Sequence, residues 1–92
     1  MSLPPEDPTP LHQPGGDAAQ APETVRRVID WYNSRLLAAR RDPQAASPEQ
    51  VAAWRQARDQ ALDDLERLET ADADETVQIA LVYAARFREL HG

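Results

Sequence analysis

A chain of 92 residues, 41 % of them apolar and carrying a net charge of −6, has room for one small domain. With no cysteine it can build neither a disulfide framework nor a thiolate metal site. The acidic balance opposes the phosphate contacts on which general nucleic-acid binding depends. All ten basic residues are Arg, a bias that points to a GC-rich, and so bacterial, host.

Residues 1–21 hold five prolines, the pair Gly15–Gly16 and only two large apolar side chains, Leu3 and Leu11. So little apolar surface cannot offset the entropy of ordering, and the stretch reads as a disordered tail. Pro5-Glu6-Asp7-Pro8 matches a PxxP peptide in form, but its acidic middle and the absence of an adjacent basic residue favour a spacer. The N-terminus lacks the positive charge and apolar run of a secretory signal, and no apolar run is long enough to span a bilayer. The cytoplasm is therefore the expected compartment.

The domain proper is expected over 22–92. A first helix, about 22–41, opens at Pro22, a favourable first-turn residue, with Glu23 at the positive end of the helix dipole. Val25, Val28, Ile29, Tyr32 and Leu36 recur at helical spacing and form its buried stripe. Arg40 and Arg41 suit its C-terminal end, and Asp42-Pro43 stops it. Within this helix Trp31 and Tyr32 are neighbours, about 100° apart around the axis. Tyr32 lies in the middle of the stripe, which leaves Trp31 on its rim with Arg35 one turn later, placed to stack on the indole.

The second helix, about 48–69, has the clearest start. Ser47 is the N-cap, Pro48 the first residue, and Gln50 sits at the capping-box position. Its apolar set is Val51, Trp54, Ala61, Leu62, Leu65 and Leu68. Arg58 projects into that set, with its stem along the seam and its head reaching either water or a carboxylate across an interface. Asp59, Asp63 and Glu66 follow one face at i, i+4, i+7 and read as a solvated ridge.

A third helix, about 73–91, starts in Thr70-Ala71-Asp72-Ala73-Asp74-Glu75, capped by Asp72 with Glu75 or by Asp74 alone. Val77, Ile79, Ala80, Leu81, Tyr83, Ala84, Phe87 and Leu90 cover an apolar arc wider than a bundle helix needs. Such a helix is expected to be covered on two sides, by its own bundle or by a second subunit. Three helices with short connections predict an all-α, antiparallel three-helix bundle. Charge agrees with that topology: five Arg against one Asp between Arg26 and Arg41 face eight acids against Arg67 between Asp59 and Glu75.

The residues for catalysis are missing. There is no Cys nucleophile and no Lys; His12 and His91 belong to no metal-ligand pair, and no Gly-rich phosphate loop exists. The sequence thus predicts a non-enzymatic protein without cofactor or metal: an adaptor, regulator or inhibitor that binds another protein, or a second copy of itself, through a helical face. The expected partner-binding residues are Trp31, Arg35, Val82, Tyr83 and Leu90, since Trp, Tyr and Arg dominate such contacts. The alternative is a small helix-turn-helix-type DNA-binding regulator that uses Arg26, Arg27, Arg40 and Arg41 of the basic first helix.

Overall fold

A computed structural model describes residues 19–91, and the PxxP stretch and His12 lie outside them. The domain is three helices: α1 (Ala21–Arg41), α2 (Pro48–Arg67) and α3 (Ala73–His91), with no strand among the described residues.

Each boundary has a local cause. α1 begins one residue before Pro22 and has no side-chain cap; the Thr24 amide donates to the Gln20 carbonyl instead. Ala21, which the sequence assigns to the tail, is fully buried. Asp42 leaves the helix in an extended conformation, and its carboxylate and carbonyl accept from the amides of Gln44 and Ala45. That closes the turn into α2. There the Ser47 hydroxyl accepts from the Gln50 amide at 3.1 Å, satisfying one of the orphan donors of the first turn. α2 stops at Arg67, two residues short of the expected end, because Glu69 and Thr70 donate back three residues rather than four. Asp72, not Asp74, caps α3: its carboxylate accepts from the Glu75 amide at 2.8 Å, and its carbonyl accepts from both Thr76 donors.

α1 is the central element. Its backbone packs closely against both α2 and α3, whereas α2 and α3 approach each other at few points. It also supplies most of the core, with Ala21, Val25, Val28, Ile29, Tyr32 and Leu36 all buried. α2 contributes only Ala61 to that set, and α3 only Ala80 and Tyr83. Fully burying a side chain of the Val or Ile class contributes about 1.5–3 kcal/mol, so the five large apolar residues of α1 carry much of the stability. Trp31, Trp54, Leu65, Leu68, Phe87 and Leu90 pack around this centre, partly exposed.

One expectation is corrected by this packing. Leu62, placed in the core by its apolar character, is 45 % exposed. The face of α2 that meets α1 is centred on Ala61, so Leu62 is turned about 100° away from it. As the antiparallel topology expects, Arg26 lies near the acidic end of α2, where it lines a shallow hollow with Glu69, but it makes no ion pair among the described residues. Arg27 instead pairs with Glu23 on its own helix at 3.6 Å. Among the described residues the ion pair between helices is Arg67–Glu75, 3.7 Å apart between the end of α2 and the start of α3.

Candidate functional site

The stripe of α1 fixes the aromatic pair as its spacing dictates. Tyr32 is buried at the centre of the core, and Trp31 stands half-buried on its edge. The Trp31 ring meets Tyr32 edge-on at 5.4 Å and Trp54 of α2 edge-on at 6.2 Å, geometries that the aromatic quadrupole favours. The Arg35 guanidinium lies over the Trp31 ring, 4.7 Å from its centroid. On the facing wall, Phe87 and His91 of α3 sit with ring centroids 4.2 Å apart. Trp31, Arg35, Phe87 and His91 line an open groove of about 460 Å³ between α1 and α3, with Arg27 and Asp30 also at its margin.

Of the five expected partner-binding residues, Trp31 and Arg35 share this groove and the other three do not. Val82 is 49 % exposed but lies five residues before Phe87, hence about 140° around α3 on its other flank. Leu90 is partly buried against the core. Tyr83 is a core residue, only 2 % exposed, and is withdrawn from any outer face. The physical reason lies in its register, since Ala80, Tyr83, Phe87 and Leu90 repeat at spacings of three and four and form the stripe that meets the rest of the bundle. The surplus apolar arc of α3 falls on Leu81 and Val82, 54 % and 49 % exposed.

The Tyr83 hydroxyl donates to Asp64 Oδ2 of α2 at 2.5 Å, and Gln60 donates to the other carboxylate oxygen at 3.2 Å. This is a charge-assisted bond between the two helices that otherwise approach least. Burial first, then the hydrogen bond and charge of Asp64, push the Tyr83 phenol well above the ordinary tyrosine range. In the sequence Asp64 is one of the eight acids between Asp59 and Glu75. The signal that marks it is its position three residues after Ala61, at the edge of the packed face.

Arg58 follows the expected course in part. Its side chain is 29 % exposed along the α1–α2 seam, and its head pairs with its own neighbour Asp59 at 3.1 Å rather than across an interface. The ridge Asp59, Asp63, Glu66 is exposed, and no group of three or more potential metal ligands exists among the described residues. Nor is any described helix long and apolar enough to cross a membrane.

Compared with protein-family models, curated proteins and solved structures, the chain shows no significant similarity to any of them.

Proposed function

We propose that this chain is a non-enzymatic protein-interaction domain, an adaptor, regulator or inhibitor that holds a partner protein against the α1–α3 groove. The observation that carries the reading is the half-buried Trp31 with the Arg35 guanidinium over its ring, facing Phe87 across an open cleft. An aromatic anchor and an arginine in a concave, partly apolar setting are the groups that dominate protein–protein contacts. The half-exposed Leu81 and Val82 extend the apolar surface to the outer side of α3.

The DNA-binding alternative gains little from this arrangement. Arg26, Arg27, Arg40 and Arg41 are exposed, but at opposite ends of a helix, about 20 Å apart. The outer face of α1 stays exposed, but between these arginines it presents Asp30, Asn33, Ser34 and the half-exposed Leu37 rather than further cations for phosphates.

The deciding experiment compares wild type, Trp31→Ala and Arg35→Glu by light scattering and by co-purification from the native host. A partner, or a second copy, retained by wild type and lost by both variants at unchanged helicity supports the reading. Equal retention by all three refutes it. Loss by Trp31→Ala alone, with a lowered melting temperature, means that Trp31 acts only as packing and also refutes it.

A further inference from the structure

On the edge of α1 away from Trp31 runs a second groove, between α1 and α2, of about 410 Å³. Leu36, Leu37 and Val51 supply its apolar surface, and Arg40, Arg55 and Arg58 its charge. No acidic residue lines it, although the chain as a whole carries −6. Arg58 is paired with Asp59, but Arg40 and Arg55 form no ion pair among the described residues. Leu37 is 47 % exposed beside them. The groove continues past Val51 and Arg55 into a neighbouring hollow of about 330 Å³, walled by Pro43, Ala46 and Pro48 of the α1–α2 connection.

We propose that this groove binds an acidic amphipathic segment of a partner protein, apolar side chains down and carboxylates toward the arginines. The inference rests on the reading of the chain as an interaction domain but concerns a different surface. Charge complementarity selects the occupant. Two arginines without carboxylates, beside an exposed leucine, match a chain that offers carboxylates next to apolar groups. The spacing agrees, since the groove residues recur at 33, 36 or 37 and 40 on α1 and at 51, 55 and 58 on α2. The groove therefore runs along the helix axes for about two turns, the length over which a helix presents anchors at i, i+3 and i+7. A nucleic acid fits less well, since the apolar floor has no aromatic face for bases to stack on.

The test uses the full chain and three labelled peptides of about twelve residues, three helical turns long. All have leucine at every third or fourth position; the flanking residues are Glu in one, Gln in the second and Lys in the third. Fluorescence anisotropy gives affinity, and amide chemical-shift mapping gives the site. The Glu peptide should bind with shifts clustered at 33–40 and 51–58, about tenfold more tightly than the Gln peptide, with the Lys peptide weaker still. The double variant Arg40→Glu/Arg55→Glu should reverse that order. Both arginines are exposed, so the fold should survive; should it not, the single variants Arg40→Gln and Arg55→Gln report the loss. Binding that ignores peptide charge overturns the proposal. So do shifts centred on Trp31 and Phe87, stronger shifts from a thymidine oligonucleotide, or self-association through the groove. Failure here leaves the Trp31 face standing, and loss of binding at Trp31 leaves this groove standing.

Discussion

Replacing Tyr83 by Phe removes one oxygen atom and keeps the ring, which isolates the link between α2 and α3. The bond lost is the 2.5 Å contact to Asp64, whose carboxylate is partly exposed and keeps its bond from Gln60. A hydrogen bond to a charged group contributes about 1.5–3 kcal/mol, and water reaching Asp64 recovers part of it, so the expected cost is about 1–2 kcal/mol. In a domain of this size that lowers the melting temperature by about 5–15 °C and the urea midpoint by about 1 M. Circular dichroism measures both. Pairing the variant with Asp64→Ala in a double-mutant cycle should return a coupling of at least about 0.5 kcal/mol.

The same residue sets an alkaline limit. Because the folded phenol titrates above its unfolded value, near 10, the stability that depends on its proton is complete below pH 10 and is lost as pH rises beyond it. As pH rises past 10 the unfolded chain releases this proton while the folded chain keeps it, which costs on the order of 1 kcal/mol by pH 11. Tyr83→Phe should remove that slope. A Phe variant as stable as wild type, with the alkaline slope unchanged, would show that the bond does not hold α3 in place.

Other substitutions test the packing. Ser47→Ala should cost about 1 kcal/mol by unsatisfying the Gln50 amide, and Asp72→Ala about the same at the start of α3, both read from thermal melts. Ala61→Leu should cost about 1–3 kcal/mol, since Ala61 is fully buried where α2 meets α1. Leu62→Ala, although it deletes a larger side chain, should stay within about 0.5 kcal/mol of wild type because that leucine is half in water.

Three features were legible in the sequence because each depends on a few adjacent residues. They are the stripe Val25, Val28, Ile29, Tyr32, Leu36, the Ser47 cap, and the placement of Trp31 beside Arg35. What escaped depends on how the helices meet. The apolar arc of α3 is wider than any single contact, so spacing alone does not say that Tyr83 faces inward while Leu81 and Val82 stay outside. Membership of an apolar set does not rank its members either. Ala61 and Leu62 stand side by side in the set of α2, yet only Ala61 is buried, because its small size lets the backbones approach and Leu62 is turned about 100° away. The link from Tyr83 to Asp64 spans 19 positions and has no signature at any local spacing.

The central place of α1 also sets the order in which the domain comes apart. α2 can lift away while α3 still covers the other flank of α1, and the converse holds, but α1 cannot be bared without opening both. Partial openings therefore expose the outer helices first, with Tyr83 and Asp64 resisting the separation of the two. Amide protons of α2 and α3 should exchange with solvent at free energies below that of global unfolding. Those of Val28 and Ile29, enclosed from both sides, should be the last to go, and their exchange rate measures the stability of the whole domain.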